Sequence, residues 1–190
     1  MQTNHRQQTT LAWVSGLSNP RTCRLPAERI EFMQQIRQPD WRMLPMNFPY
    51  QPALDLVAAN SGLLAASLHN GRQFAQDSFG WRRRELQANW RPIVESCDQL
   101  VIIAISCGMQ LLLDAGIDRL ANVSLISLGP VGWRRPECPH ILVQGDYDYI
   151  SRLFYRDDVV RIARQGHLNY DRNSETLPAI KDWICNNILK

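Results

Sequence analysis

The sequence predicts an α/β domain in which a mostly parallel sheet is flanked by helices on both faces. Apolar runs typical of strands alternate along the chain with segments that have helical periodicity. The runs are continuous rather than alternately polar, which is typical of strands buried on both faces, as in parallel sheets. The chain has 190 residues, enough for a substantial core, and we expect a single domain over 1–190.

The predicted strands are short apolar runs and the predicted helices have one apolar face. The strands are predicted at 10–14, 41–48, 100–105, 123–128, 141–143 and 159–163. The helices are predicted at 26–36, 81–95, 107–115 and 174–189. Pro26 suits the first turn of its helix, Gly116 ends the third helix, and Ser174 is the expected N-cap of the last. The connection 129–139 leaves little room for a helix, so a loop is predicted there.

Residues 51–98 are interpreted as a helical insertion. Apolar residues keep helical spacing over 53–68, and again over the predicted helix 81–95. Two interpretations of this region stay open at this point. It forms a small cap over an active site, or its helices pack into the core.

The composition excludes several classes of protein. The formal net charge is only +3 and acidic residues are interspersed with the arginines, which argues against a nucleic-acid-binding protein. No apolar stretch reaches the roughly 18–20 residues of a membrane span, and the polar start lacks the apolar core of a signal peptide. The five cysteines are scattered without a CxxC pair. We therefore expect a cytoplasmic protein without a disulfide framework, metal or cofactor.

Ser106 is the most informative residue. The apolar run 100–105 ends at this serine and a helical pattern begins directly after it. Small residues lie two positions before it, at Ala104, and two positions after it, at Gly108. A sharp turn from strand to helix needs small residues there because the flanking backbones come close together, and it leaves the next N–H at a helix N-terminus. This pattern predicts a nucleophile.

Two further polar features follow later strands. The turn Gly145-Asp146-Tyr147-Asp148 follows the strand at 141–143, and Gly166-His167 follows the strand at 159–163. The carboxyl ends of parallel strands meet at one edge of a sheet, where ligands gather. A serine hydroxyl needs a base to take its proton, an imidazole has a suitable pKa range, and a carboxylate can orient the imidazole. Serine, acid and histidine in this order therefore predict nucleophilic catalysis.

These residues resemble the α/β-hydrolase superfamily over most of the chain. The resemblance implies that Ser106 is the nucleophile, His167 the general base and Asp148 the orienting acid. It favours Asp148 over Asp146, because the acid of that superfamily usually lies three positions after the glycine. Strands before Thr10 are missing, so the resemblance implies a trimmed version of the fold.

The resemblance also implies an oxyanion hole. Ser15-Gly16-Leu17 follows the first strand, where the superfamily usually has a His-Gly pair and then an oxyanion donor. The backbone N–H groups of Leu17 and Cys107 would then hold the oxyanion. Ala104 stands in place of the usual first glycine of the serine turn, and Met109 stands where a second glycine is common.

Several residues keep alternative interpretations. Cys107 competes as a nucleophile, although Ile105 and Met109 are bulky neighbours for such a turn. Each of Asp148 and His167, taken alone, is also compatible with an ordinary surface position. Phe48 and Tyr50 are expected to line the acyl pocket, with packing as the alternative, and Gly16 is a further expected substrate-binding residue.

The expected function is that of a serine hydrolase that cleaves a carboxylic ester or thioester through an acyl-enzyme. The expected partner is a small acyl substrate, with an acyl carrier or a coenzyme A thioester as further candidates. Arg82 to Arg84 would then dock an anionic group, or simply form a solvated helix face. A binding protein with an unused triad and an acyltransferase with the same triad are the alternatives. The acyl group, the leaving group and the oligomeric state are left open.

Overall fold

One parallel sheet of six strands organises the part of the protein that the structure describes. This computed structural model describes residues 8–16, 23–48 and 83–189, with the backbone alone for 83–86. The strands are β1 (Thr9–Val14), β2 (Arg42–Asn47), β3 (Gln99–Ile105), β4 (Val123–Leu128), β5 (His140–Gly145) and β6 (Val160–Ile162). Their order in the sheet is β2-β1-β3-β4-β5-β6, and all neighbours are parallel. The predicted parallel sheet is confirmed.

Helices cover both faces of this sheet, as predicted. Within the described residues the α-helices are α1 (Ala27–Ile36), α2 (Arg83–Glu95), α3 (Gly108–Ala115) and α4 (Thr176–Asn187). The central strand β3 shows why its sequence is apolar throughout. Ile102 and its alternate neighbours pack with α2 and α3, whereas Ile103 and its alternate neighbours pack with α1 and α4. Both side chains are fully buried, so neither face of the strand tolerates a polar position.

The edge strand β2 contains Pro45, which lacks a backbone N–H. Among the described residues β1 is the one strand that pairs with β2, whose only other pairing there is an isolated bridge between Arg24 and Met46, and such an edge position tolerates proline. The last residue of β2, Asn47, pairs in register with Trp13 near the end of β1. The strand therefore delivers Asn47 to the same end of the sheet as the loop after β1.

The boundaries of α4 differ from those predicted, and the predicted N-cap was wrong. Glu175 occupies the N-cap position and Ser174 lies before it. The local reason is Asn173, whose side-chain oxygen accepts from the Glu175 N–H at 2.9 Å and whose carbonyl accepts from the Thr176 N–H at 3.2 Å. An asparagine turn thus starts the helix, and a serine cap is not needed.

The other predicted boundaries are close to those observed. Gly116 ends α3 in the left-handed conformation with φ of 69°, as predicted. The connection 129–139 is a loop without a helix, also as predicted. The described part of the predicted insertion is α2, whose Trp90 is fully buried against Phe48 with ring centroids 4.4 Å apart.

This burial favours the core interpretation for α2. Residues 51–82 lie outside the described residues, so the predicted cap and the single domain over 1–190 stay predictions. Among the described residues, no helix combines the length and the apolar character needed to cross a membrane.

Candidate active site

Ser106 lies in the turn that joins β3 to α3. Its φ of 52° is in the left-handed region, which is strained for a residue with a side chain. Two hydrogen bonds hold this conformation. The Ser106 N–H donates to the carbonyl oxygen of Leu128 at 3.0 Å, and the Ser106 carbonyl accepts from the Met109 N–H at 3.2 Å. The strained turn presents the hydroxyl at the carboxyl end of the sheet.

Gly108 allows α3 to pack against the end of β1. A Cβ at this position would lie 2.5 Å from the carbonyl oxygen of Val14 and 2.9 Å from the Cα of Ser15. Both contacts are with backbone, which cannot move aside as a flexible side chain would. The predicted need for a small residue two positions after the serine is confirmed. Ala104, two positions before it, is fully buried and in register with Val14 and Ser127.

The structure brings Ser106, His167 and Asp148 together. His167 Nε2 lies 2.8 Å from Ser106 Oγ, and His167 Nδ1 lies 2.8 Å from Asp148 Oδ1. An ionised carboxylate only accepts hydrogen bonds, so Nδ1 carries the proton and donates a hydrogen bond to Asp148. Nε2 is then left as the acceptor for the Ser106 hydroxyl. The imidazole is mostly covered, with 15% of its side chain exposed.

Asp148 is completely buried and fully supplied with hydrogen bonds. Its Oδ1 accepts from His167 Nδ1 and from the Ser151 N–H at 3.0 Å, and its Oδ2 accepts from the Tyr170 hydroxyl at 2.6 Å. Burial alone raises the pKa of this carboxyl, but the hydrogen bonds outweigh burial and hold the pKa below its ordinary value. The carboxylate is therefore ionised at neutral pH.

Asp146, the other acid of the same turn, has a different task. Its Oδ1 accepts from the Gln165 N–H at 3.1 Å, and the Gln165 carbonyl accepts from the Tyr147 N–H at 3.0 Å. These bonds join the turn after β5 to the segment that leads into His167. A Cβ on Gly145 would lie 2.0 Å from the Gln165 carbonyl oxygen, so the same close approach requires that glycine. The choice of Asp148 over Asp146 as the partner of His167 agrees with this geometry.

Sequence reasoning missed two residues that complete the surroundings of Asp148. Tyr170 is fully buried, and Gly129 directly follows β4 with φ of 59°. A Cβ on Gly129 would lie 2.9 Å from Asp148 Oδ2, 3.0 Å from Tyr170 Cε2 and 3.3 Å from His167 Nδ1. The main chain at Gly129 is thus the wall against which these three side chains pack.

The loop after β1 is described as far as Gly16. Ser15 and Gly16 are buried, and the Asn47 side chain holds the Ser15 peptide on both sides. Asn47 Oδ1 accepts from the Ser15 N–H at 2.8 Å, and Asn47 Nδ2 donates to the Ser15 carbonyl at 3.3 Å. Asn47 is the third residue that the sequence did not indicate.

The remaining predicted residues divide into two groups. Leu17 and Tyr50 lie outside the described residues. Cys107 directly follows Ser106 at the N-terminus of α3 and is mostly buried. Phe48 packs in the core with only 8% exposed, which agrees with the packing alternative. Because His167 Nε2 is hydrogen-bonded to Ser106 Oγ, the geometry favours the hydroxyl over the Cys107 thiol as nucleophile.

Comparison with known proteins shows the fold. No family model and no curated protein matches the sequence. An α/β serine hydrolase without a lid from Xanthomonas campestris matches with 17% identity and a TM-score of 0.53, over 95% of this chain and 82% of that chain. A candidate α/β hydrolase of unknown function from Agrobacterium tumefaciens matches with 10% identity and a TM-score of 0.51, over 99% and 88%.

A third match is an uncharacterized protein from Bacillus cereus, with 12% identity and a TM-score of 0.55. It covers 98% of this chain and 62% of that chain. This chain therefore has the α/β-hydrolase fold, as the resemblance of the sequence predicts. At these identities the likeness concerns the fold, and the chemistry has to be argued from the side chains.

Proposed function

We propose that this protein is a serine hydrolase that cleaves a carboxylic ester or thioester through an acyl-enzyme. The observation that carries this proposal is the continuous hydrogen-bonded relay from Asp148 through His167 to the Ser106 hydroxyl. A hydroxyl is a weak nucleophile at neutral pH unless a base lies within reach of its proton. The 2.8 Å between Nε2 and Oγ is a distance at which that proton transfers.

The proposed reaction has two halves. Ser106 Oγ attacks the carbonyl carbon while its proton passes to His167 Nε2, which gives a tetrahedral intermediate with a negative oxygen. The intermediate breaks its bond to the leaving alcohol or thiol, which receives the proton from Nε2. Water then attacks the acyl-enzyme with the same base and releases the acid. Asp148 stabilises the imidazolium in both halves without itself taking the proton.

The oxyanion is proposed to lie against backbone N–H groups. The Cys107 N–H lies next to the nucleophile at the start of α3, where the helix dipole favours negative charge. The Leu17 N–H is the proposed second donor. Leu17 lies two positions after Ser15, whose N–H and carbonyl are both hydrogen-bonded by the Asn47 side chain. Each such donor contributes about 3 kcal/mol to stabilising the transition state in related sites.

Several exposed apolar side chains lie close in sequence to Asp148 and His167, and we propose that they bind an apolar acyl group. Tyr149 and Leu153, in the connection that begins with Asp148, are 68% and 79% exposed. Trp133, from the loop after β4, is 66% exposed and its ring lies 5.2 Å from that of Phe154. We call this set of exposed side chains the apolar rim, and its members are Trp133, Tyr147, Tyr149, Ile150, Leu153 and Leu168. Apolar surface grouped around a site marks binding of apolar ligands.

The first experiment labels the protein with a fluorophosphonate. We expect the wild-type protein and Cys107→Ala to be labelled and Ser106→Ala to remain unlabelled. Turnover of p-nitrophenyl esters and of an acyl thioester should disappear in Ser106→Ala alone. A wild-type protein that neither reacts with the probe nor turns over any ester would contradict the proposal and favour the binding-protein alternative. Alkyl ester products formed in the presence of an added alcohol would instead favour acyl transfer.

The second experiment varies the acyl chain from acetyl to octanoyl. If the apolar rim binds the chain, kcat/KM rises with length, and Leu153→Ser lowers it several-fold for octanoyl but leaves it unchanged for acetyl. Leu120→Ser is the matched control, because Leu120 is also exposed but precedes β4 at the opposite end of the sheet. If Leu153→Ser and Leu120→Ser changed kcat/KM for octanoyl equally, the apolar rim would not be the binding surface for the acyl chain.

A further inference from the structure

We propose that Tyr170 is a positioning residue of this site, which fixes the Asp148 carboxylate so that Oδ1 faces His167. The inference rests on the proposed function and adds a residue that the serine, histidine and acid pattern does not contain. The Tyr170 hydroxyl lies 2.6 Å from Asp148 Oδ2 and 2.7 Å from the Gly145 backbone nitrogen. Tyr170 is fully buried, so water does not compete for these bonds.

The direction of the Tyr170 hydrogen bond follows from its two partners. The Gly145 N–H can only donate, so it occupies a lone pair of the hydroxyl oxygen. The hydroxyl proton is then left for Asp148 Oδ2, which can only accept when ionised. Burial, and next the bond to Asp148, raise the pKa of the Tyr170 phenol. Tyr170 is therefore a neutral donor throughout the working pH range.

This arrangement divides the carboxylate into two oxygens with separate tasks. Oδ1 accepts hydrogen bonds from the imidazole and from the Ser151 N–H, and Oδ2 accepts one from the phenol. Without the phenol hydroxyl, Oδ2 would be a buried anionic oxygen with one donor fewer, which favours protonation or rotation of the carboxylate. Either event weakens the hold on the imidazole tautomer that Ser106 needs.

The Tyr170 ring and the Asp148 carboxylate both pack against backbone on one side. The main chain at Gly129 presses against the Tyr170 ring and against Asp148 Oδ2, so closely that a Cβ there would lie within 3.0 Å of both. Beyond Asp148, Arg161 on β6 is the charged group among the described residues that acts on the phenol. A Tyr170→Phe variant keeps the ring and removes the hydroxyl, which is both the donor to Asp148 Oδ2 and the acceptor of the Gly145 N–H.

Tyr155 supplies a matched control. It is also a buried tyrosine whose phenol pKa is raised by burial, but its hydroxyl lies 2.8 and 2.7 Å from the carbonyl oxygens of Gly132 and Arg134. It touches no carboxylate in these contacts. Tyr155→Phe thus removes a buried hydroxyl with a comparable effect on stability and no direct effect on Asp148.

The experiment measures fluorophosphonate labelling rates against pH, normalised to folded protein. We expect Tyr170→Phe to label about tenfold more slowly at neutral pH, the loss of one hydrogen bond to a charged group. We also expect its rate to fall on the acid side at a higher pH than in the wild type, because Asp148 protonates more easily. Tyr155→Phe should leave the midpoint of that fall unchanged. Identical rates and midpoints in Tyr170→Phe and wild type would overturn the inference.

A second readout separates this inference from the proposed function. The Nδ1 proton of His167 in its bond to Asp148 gives a far-downfield proton resonance, assigned by its loss in His167→Gln. We expect Tyr170→Phe to shift or broaden this resonance and Tyr155→Phe to leave it unchanged. If the wild type proved unreactive, the proposed function would fail, yet this resonance would still decide whether Tyr170 positions Asp148.

Discussion

Two carboxylates are buried among the residues that the structure describes, Asp118 and Asp148, and they take their hydrogen bonds from different kinds of partner. Asp118 is paired with Arg134, whose Nη1 and Nη2 lie 2.6 and 2.9 Å from the two carboxylate oxygens. The Glu137 N–H adds a third donor at 3.0 Å. Asp148 takes its hydrogen bonds from a phenol, a peptide N–H and an imidazole. Both acids have at most 1% of their side chain exposed.

The two acids are equally buried, so they differ in whether a permanent cation accompanies the carboxylate. The hydrogen bond to Asp118 raises the pKa of the Arg134 guanidinium, so this pair keeps a permanent cation. In the described parts of the chain, no lysine or arginine forms an ion pair with Asp148. Its charge is therefore still available to an imidazole that gains a proton from Ser106. A buried acid with a permanent partner fixes a loop, whereas one with neutral donors can respond to a proton that arrives during a reaction.

The largest expected effect comes from exchanging each acid for its amide. Asp148→Asn removes the charge that stabilises the imidazolium and favours the wrong tautomer, so kcat should fall by about 10⁴-fold with the fold retained. Asp118→Asn should instead cost about 3 kcal/mol of unfolding free energy, because it removes the buried anion and leaves Arg134 with the longer 3.5 Å ion pair to the exposed Glu137. This cost lies at the lower end of the range for buried pairs, since Arg134 is 34% exposed.

Ester turnover and chemical denaturation of both variants measure these two quantities. We expect Asp148→Asn to lose activity while keeping its stability, and Asp118→Asn to lose stability while keeping its activity when folded. An Asp118→Asn protein that folds normally but loses turnover as severely as Asp148→Asn would contradict the different roles assigned to the two acids.

The next effect in size tests the wall behind Asp148. Gly129→Ala places a Cβ 2.9 Å from Asp148 Oδ2, at a φ of 59° that alanine adopts only with strain. Displacing the carboxylate and the imidazole should lower kcat/KM by roughly 10²-fold. Gly166→Ala is the control, because a Cβ there meets nothing within 4 Å although the residue is adjacent to His167. Equal kcat/KM values for the two variants would show that the wall does not set the geometry.

A smaller effect on activity is expected from the loop after β1, where the neutral side-chain amide of Asn47 holds the backbone near Ser106. Asn47→Ala removes both hydrogen bonds that hold the Ser15 peptide, and with them the support of the proposed Leu17 donor. We expect kcat to fall about tenfold while KM changes little, because an oxyanion donor acts mainly in the transition state. A rise in KM with unchanged kcat would assign the loop to substrate binding instead.

The sequence predicts the sheet, which the structure confirms, and it singles out the three side chains that the structure brings together, because strand ends and their polar residues are local signals. Continuous apolar runs indicate buried parallel strands, and Ser106 is flanked by residues whose small size the turn requires. Asp148 could be distinguished from Asp146 only by a resemblance in spacing, and the structure supplies the physical reason. Asp146 is used to bind the Gln165 N–H.

The residues that were missed depend on contacts between distant segments. Asn47 reaches Ser15 across 32 positions of sequence, and Tyr170 reaches Asp148 across 22. Gly129 shows its importance only through its conformation and through what a Cβ there would meet. The N-cap error at Ser174 is different, because it comes from a local contact in which the neighbouring Asn173 forms the turn. Patterns of residue type reveal elements, whereas these contacts depend on how the elements pack.

The smallest expected effect is on the pH dependence of stability, and it isolates the charge of Asp148. Its pKa is lowered in the folded protein from the ordinary 3.8, so the unfolded state binds more protons in the window between the two values. The carboxylate therefore contributes stability that is complete above about pH 4 and is lost as the pH falls through its native pKa. Unfolding free energy should decline less steeply in acid for Asp148→Asn than for wild type, by at most about 1.4 kcal/mol per pH unit. Parallel curves from denaturation between pH 5 and pH 2 would mean that the neutral donors around Asp148 do not favour its charge, and the contrast with Asp118 would lose its physical basis.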